Sequence, residues 1–167
     1  MSSKVFVIGT IFLSILILVV SYLLIKGSNS NQAKEIVSYQ GGGGEKPKAQ
    51  AKTTFSDLGQ IKVSDQKSVE FTLKNIGKKP LQLFNISSSC GCTVGQIIYK
   101  GKESQEFGMH SQSDYVDEIN PGDEAKVRVI YRPYVMPVYG VVDREVYIST
   151  NDPDNPKLVF KVKAYVK

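Results

Sequence analysis

The chain has 167 residues and a formal net charge of +5, enough length for one ordinary domain and an accessory segment. The charge is concentrated in the first 52 residues, which carry 6 Lys and Arg against 2 Asp and Glu, whereas residues 53–167 carry 15 against 14. Because nucleic-acid binding requires a concentrated basic face, the nearly neutral second part excludes DNA and RNA as partners.

The first predicted element is an apolar helix. Residues 5–25 form a run of 21 residues without a charge, between Lys4 and Lys26. As a helix this run spans a bilayer core of about 30 Å. The apolar core of a cleavable signal peptide is shorter, about 7–15 residues, and precedes a small-x-small cleavage site. We therefore predict an uncleaved signal anchor over residues 1–26, with a transmembrane helix at about residues 5–25 and the membrane as its partner.

The position of this run at the N-terminus also predicts where the rest of the chain lies. A short N-terminus followed at once by an apolar run is how a secretory signal begins. We expect a single-pass membrane protein whose C-terminal domain is extracytoplasmic, in the cell envelope.

Residues 27–52 are predicted to be a flexible linker. They are rich in Gly, Ser and Asn and include Gly41–Gly44. Such a composition buries too little apolar surface to offset the entropy lost on ordering. A chain of this length has a root-mean-square reach of about 25–30 Å. The linker would hold the following domain close to the membrane.

Residues 53–167 are predicted to be all-β. Polar and apolar residues alternate with a period of two in short segments, and turn-forming residues separate the segments at 75–80, 120–123 and 151–156. With a leading strand at 55–63, the pattern predicts an immunoglobulin-like antiparallel β-sandwich of about seven strands. The alternating apolar residues are Val69, Phe71 and Leu73; Leu81 and Leu83; Ala125, Val127 and Val129; Val146 and Ile148; and Leu158, Phe160, Val162, Ala164 and Val166.

Several motifs in this region follow one another in the order seen in a known family. The sequence resembles the bacterial domain of unknown function 1573, in the Hydin-like branch of immunoglobulin-fold domains. The resemblance covers residues 53–167 and implies a sandwich fold and an extracytoplasmic setting, but no established activity. Its most specific motif is Ser88-Ser-Cys90-Gly-Cys92-Thr93, and the stretch 94–118 looks longer than the family pattern. The other motifs are Phe55-Ser-Asp-Leu-Gly59, Val69-Glu-Phe71-Thr-Leu73-Lys-Asn75-Ile-Gly77, Pro80-Leu81, Ile119-Asn-Pro121-Gly122, Tyr131-Arg-Pro133 and Ser149-Thr-Asn151-Asp152-Pro153.

Cys90 and Cys92 are the candidate functional residues, and three interpretations are open for them. Two thiols on one sharp loop are soft ligands, and with Met109 or His110 they would form a Cu(I) site, the one cofactor that the sequence indicates. Alternatively, a disulfide between residues two apart is labile and would serve thiol–disulfide exchange. The third interpretation is structural, with cysteine packing as a small apolar residue or forming a stable local disulfide.

No constellation typical of an enzyme is present. Ser87–Ser89 lacks the context of a nucleophile elbow, and Gly41–Gly44 is not followed by the Lys-Ser/Thr of a phosphate-binding loop. We therefore predict no catalytic residues. We interpret the chain as a membrane-tethered extracytoplasmic binding or interaction module whose functional end is the Cys-Gly-Cys loop. Gln82, Phe84, Tyr147 and Tyr165 are expected on an exposed sheet face that is compatible with a protein partner.

Overall fold

The computed structural model describes residues 12–22, 35–40, 44–111 and 117–167. Residues 12–22, in the middle of the predicted apolar helix, are helical, and the rest of the predicted span 5–25 lies outside the described residues. No helix in the described part combines the length and the apolar character needed to cross a membrane. The contacts divide the chain after Lys34, and the unit Glu35–Lys167 contains the β-structure.

The domain is a β-sandwich of two five-stranded sheets. One sheet has the strand order β1-β3-β8-β5-β6 and the other β2-β10-β9-β4-β7. The described residues form ten strands against about seven predicted, and seven of the ten have seven or more residues. The strands are β1 (Ala49–Ala51), β2 (Phe55–Ile61), β3 (Lys67–Asn75), β4 (Leu81–Ser88), β5 (Thr93–Tyr99), β6 (Lys102–Glu103), β7 (Asp117–Ile119), β8 (Glu124–Tyr131), β9 (Gly140–Thr150) and β10 (Lys157–Val166).

The apolar rows predicted from the alternating pattern form the core between the sheets. Phe71 of β3 and Phe160 of β10 meet across the interface with ring centroids 5.2 Å apart. Every residue of the predicted rows is buried except Val69, which is half-buried against the core. Because successive side chains of a strand point to opposite faces, this result confirms the predicted phase of each strand.

The prediction of a purely antiparallel sandwich is wrong for one pair of strands. β2 runs parallel to β10, with Phe55 opposite Lys161 and Ile61 opposite Val166. All other strand pairs in the described residues are antiparallel. β2 comes long before β10 in sequence, so no hairpin turn forces the two strands to run in opposite directions.

The ordered domain begins before the predicted boundary at Thr53. Ala49–Ala51, inside the predicted flexible linker, form β1 and pair with β3. The Ala49 N–H donates to the buried Asp152 carboxylate at 2.9 Å, which compensates that carboxylate for its lost hydration. The residues just before β1, 46–48, pass close to the backbone at Gly77. This approach requires glycine, because a Cβ at Gly77 would lie 2.4 Å from the Lys46 carbonyl oxygen.

Gln82 is buried, not exposed as predicted, with 3% of its surface accessible. Residues 35–37 cover it, because its Oε1 accepts from the Val37 N–H at 2.8 Å and its Nε2 donates to the Glu35 carbonyl at 3.2 Å. A second part of the predicted linker is therefore in contact with the sandwich. Of the other three residues expected on this face, Tyr165 is exposed, while Phe84 and Tyr147 are half-buried.

The long strands give the sandwich two distinct ends. The cysteine end contains the end of β4, the start of β5 and the end of β8, where Thr93 is paired with Tyr131. The linker end contains Ala49, opposite Asn75, and Gln82 near the start of β4. Since a strand rises about 3.3 Å per residue, β8 separates the two ends by about 23 Å, from Glu124 opposite Lys74 to Tyr131 opposite Thr93.

Replacement of Phe160 by Ala tests the strand phase and the core. We expect Phe160→Ala to lower the free energy of unfolding by about 3–5 kcal/mol, because surrounding side chains cannot fill the cavity next to Phe71. The matched control Val159→Ala, at an adjacent position that is 37% exposed, should cost less than about 1 kcal/mol. Urea denaturation of the full chain measures both. Equal losses in the two variants would contradict the phase of β10.

Candidate functional site

The Cys90-Gly91-Cys92 loop connects the two sheets at the cysteine end. It follows β4 in one sheet and precedes β5 in the other. Hydrogen bonds to three strands or their extensions hold its backbone. The Ser88 hydroxyl donates to the Cys90 carbonyl at 2.8 Å, the Arg132 N–H donates to the Cys92 carbonyl at 2.8 Å, and the Thr93 N–H donates to the Cys90 carbonyl at 3.3 Å. The loop is therefore a fixed part of the sandwich.

The two cysteines form a disulfide bond, with Cα atoms 5.3 Å apart. Their exposures differ. Cys92 is 2% exposed, whereas Cys90 is half-buried and Gly91 beside it is exposed. Of the two sulfur-bearing residues, Cys90 is therefore the one more open to an approaching molecule.

Arg144 of β9 donates a hydrogen bond from Nε to Cys92 Sγ at 3.2 Å. The same guanidinium lies over the Tyr131 ring, 5.6 Å from its centroid, and donates from Nη1 to the Asp143 carbonyl at 2.8 Å. The Thr93 hydroxyl lies 3.4 Å from Cys90 Sγ and 3.8 Å from Cys92 Sγ. Because disulfide sulfurs carry no hydrogen, this hydroxyl can only be the donor. Both donors and the positive charge favour negative charge on Cys92 Sγ.

A small apolar cluster surrounds Cys92 at this end of the domain. Its buried members are Ile61, Cys92, Tyr131, Val142, Ala164 and Val166. The Tyr131 hydroxyl is buried in this cluster and, within the described part of the chain, is the buried side-chain oxygen or nitrogen without a hydrogen-bond partner. Such an unpaired group is costly, because its lost hydration is not replaced.

Arg132 fixes the chain where it leaves β8 beside the loop. It makes a two-pronged ion pair with Glu106, with Nη1–Oε2 2.8 Å and Nη2–Oε1 2.6 Å. This hydrogen bonding holds the pKa of Glu106 below its ordinary value. The pair ties the segment after β6 to the end of β8.

An exposed apolar segment follows Arg132. Pro133–Val135 form a 3-10 turn, and the chain then runs to the start of β9 at Gly140. A Cβ built on Gly91 would lie 3.7 Å from Met136 Sδ, so this segment borders the disulfide loop directly.

Met109 and His110, predicted as further copper ligands, lie in a turn at residues 108–111. Phe107 is paired with Gly95 of β5, and a Cβ on Gly108 would lie 3.7 Å from Val94, so the turn is near the start of β5. Both residues are exposed. In the ranges that the structure describes, no group of three or more His, Cys, Asp or Glu is placed to hold a metal ion. The copper hypothesis concerns the reduced pair and stays a prediction.

Sequence reasoning missed Arg144, which is 52 residues from Cys92. A signal was nevertheless present. Arg144 is in phase with Val142, Val146 and Ile148, so the alternating pattern of β9 places a charged residue on the inward-facing row. A charge in that position needs a partner, and the partners here are a sulfur and an aromatic ring.

Comparison with known families and structures agrees with the fold. The family model described as "Protein of unknown function (DUF1573)" matches residues 49–108, which include the Cys-Gly-Cys loop. No curated protein is significantly similar to the chain in sequence.

Two solved structures show the same fold at low identity. A protein of unknown function from Porphyromonas gingivalis W83 is 20% identical, with a TM-score of 0.55; the match covers 81% of this chain and 51% of that one. This chain therefore spans about half the length of that protein. A family 123 glycoside hydrolase from Clostridium perfringens is 8% identical, with a TM-score of 0.51, and the match covers 73% of this chain and 27% of the hydrolase.

The disulfide is expected to contribute little to stability. It closes a loop with one intervening residue, for which the chain-entropy relation gives about 1.6 kcal/mol, whereas loss of a disulfide from a small secreted domain costs about 2–5 kcal/mol. We expect the reduced full chain to remain folded, with a free energy of unfolding lower by less than about 2 kcal/mol. Urea denaturation with and without dithiothreitol measures the difference. Unfolding of the domain on reduction would instead support a purely structural bond.

Proposed function

We propose that this chain, which belongs to the DUF1573 family through residues 49–108, is a membrane-tethered extracytoplasmic protein that exchanges its Cys90–Cys92 disulfide with thiols of a partner. The observation that carries the proposal is the difference between the two sulfurs. Cys90 is half-buried and the more exposed of the two, while Cys92 is buried beneath a guanidinium that favours its thiolate.

The exchange begins with a thiolate of the partner that attacks Cys90 Sγ in line with the disulfide. A new bond forms between the partner sulfur and Cys90 Sγ, the bond between Cys90 and Cys92 breaks, and its electron pair passes to Cys92 Sγ. Arg144 Nε and the Thr93 hydroxyl are in place to donate to the resulting thiolate. A more stable leaving thiolate makes this step faster.

A second thiolate of the partner completes the reaction. It attacks the partner sulfur of the mixed disulfide, forms a disulfide within the partner and releases the Cys90 thiolate. The partner dithiol is thereby oxidised and the cysteine pair reduced by two electrons. The same steps in reverse reduce a partner disulfide, so the direction depends on the relative reduction potentials.

The buried cluster around Cys92 supports this assignment. The unpaired Tyr131 hydroxyl is in the same cluster as the sulfur that gains negative charge. The disulfide closes a short loop and is expected to add little stability. Hydrogen bonds already fix the backbone of the loop. A disulfide that contributes little to stability can be reduced and formed again without unfolding of the domain.

The proposed location is the extracytoplasmic side of a membrane. Disulfides persist in oxidising compartments and are rare in the cytosol. The uncharged run 5–25 is the proposed anchor, and its described part, residues 12–22, is helical. Residues between this anchor and the first contact of the chain with Gln82 form the proposed tether.

Arg144→Ala tests the role of the guanidinium. We expect the equilibrium constant for reduction by glutathione to fall at least about tenfold, because a charge-assisted hydrogen bond to the thiolate is lost. Arg144→Lys should retain part of the effect. The matched control is Arg128→Ala, which removes the ion pairs with Glu70 and Glu103 on the other sheet. Thiol trapping and mass spectrometry measure the reduced fraction. The proposal fails if the folded wild type resists reduction or if Arg144→Ala behaves as Arg128→Ala does.

The location is tested separately with a protease site inserted after Gly42. In intact bacterial spheroplasts, protease added outside should release the domain, because the proposed anchor leaves the linker on the outer side. The control is the same protein without residues 5–25, which should stay inside and be protected. Protection of the anchored protein in intact spheroplasts would contradict the extracytoplasmic location.

A further inference from the structure

The apolar segment beside the disulfide loop forms a surface that the domain itself does not cover. We define the apolar rim as Tyr134, Val135, Met136, Val138, Tyr139 and Val141. Every residue from 134 to 139 is exposed, and Tyr139 has 66% of its surface accessible. Connections between strands are ordinarily polar, and a run of consecutive exposed apolar residues without a binding role is unfavourable. The rim is therefore a candidate binding surface.

The rim is held in place before anything binds. Pro133 and Pro137 restrict the backbone, and the Val135 and Met136 N–H groups donate to the carbonyls of Arg132 and Pro133. Arg132 is itself fixed by Glu106. A pre-formed surface loses little conformational entropy on binding, so its apolar area contributes more fully to affinity.

The rim also extends along the outer face of the sheet. Val141 of β9 is opposite Tyr165 of β10, and both side chains are exposed. Met136 Sδ lies at the disulfide loop, next to Gly91. A molecule bound at the rim would therefore contact apolar side chains that lie next to the Cys90–Cys92 disulfide.

We propose that the apolar rim docks an extended polypeptide segment that carries a cysteine flanked by apolar side chains. This inference rests on the proposed function, because it names the class of thiol that the disulfide accepts. A cysteine with apolar neighbours is exposed in a polypeptide that has not completed folding, since such residues are buried once it folds. Docking at the rim raises the effective concentration of its thiolate at Cys90 Sγ.

The path of the chain argues for a polypeptide and against the bilayer as the occupant. The chain N-terminal to Glu35 joins the domain at the linker end, because the Glu35 carbonyl accepts from Gln82 and Ala49 is opposite Asn75. The rim and the disulfide are at the cysteine end, about 23 Å away along β8. Glu35, where the chain enters the domain, is therefore at the end opposite to the rim.

The experiment compares two model peptides of equal length and charge, each with one cysteine. One has Leu and Phe beside the cysteine and the other has Ser and Gln. For the full chain in detergent, the apolar peptide should open the disulfide at least about tenfold faster than the polar peptide. The variant Val138→Ser/Tyr139→Ser should abolish this preference while its reaction with glutathione stays unchanged. The matched control Phe55→Ser/Val159→Ser removes exposed apolar residues outside the rim and should keep the preference.

The outcomes separate this inference from the proposed function. If neither the peptides nor glutathione opens the disulfide, the proposed function itself fails. If glutathione opens it and both peptides react equally, only the rim proposal is overturned.

A fluorescent probe distinguishes the proposed polypeptide from two other possible occupants of the rim, the bilayer and a second copy of the chain. The chain contains no Trp, so Tyr139→Trp reports on the rim alone. For the full chain in phosphatidylethanolamine and phosphatidylglycerol nanodiscs, the Trp emission should shift to shorter wavelength only when the apolar peptide is added. A shifted emission before peptide addition would assign the rim to the bilayer. A shift that depends on protein concentration in detergent would assign it to a second copy. Either result overturns the proposal.

Discussion

The burial of two apolar sheet faces against each other is the interaction on which the rest of the domain depends. Phe71 and Phe160 meet at the centre of this interface, and the inward rows of both sheets continue it toward each end. At the cysteine end a smaller apolar cluster, which includes Cys92, continues this burial. The exposed segment that follows β8 lies outside both clusters, as is usual for connections that bind other molecules.

The fold could be predicted largely from alternation. A period of two along a strand places every second side chain between the sheets, and Leu158 to Val166 follow this rule without exception. Strand pairing was less predictable, because alternation fixes a strand's face and not its neighbour. The parallel β2–β10 pair and the short β1 depend on contacts between distant residues, such as Ala49 with Asp152. The predicted linker 27–52 was too long for the same reason.

The sequence predicted the cysteine loop of the candidate site but not the residues that surround it. The Cys-Gly-Cys spacing identifies the loop, but two cysteines alone are compatible with metal binding, exchange or packing. Arg144 and Tyr131 come from other strands, and only the folded sandwich brings them to Cys92. Met109 and His110 stand out in the sequence because they are rare residue types in a nearby loop. In the structure, the methionine whose sulfur borders Gly91 is Met136.

The position of Arg144 also bears on the direction of the proposed exchange. A guanidinium on an inward-facing row loses hydration, and its compensation here is a carbonyl, an aromatic ring and a sulfur. A neutral disulfide sulfur is a weak acceptor, whereas a thiolate is a strong, charged one. The guanidinium is therefore better compensated when Cys92 is reduced than when it is bonded to Cys90. Stabilisation of the reduced form raises the reduction potential of a disulfide. For the proposed exchange, the arrangement around Cys92 therefore favours donation of the disulfide to partner thiols over reduction of partner disulfides.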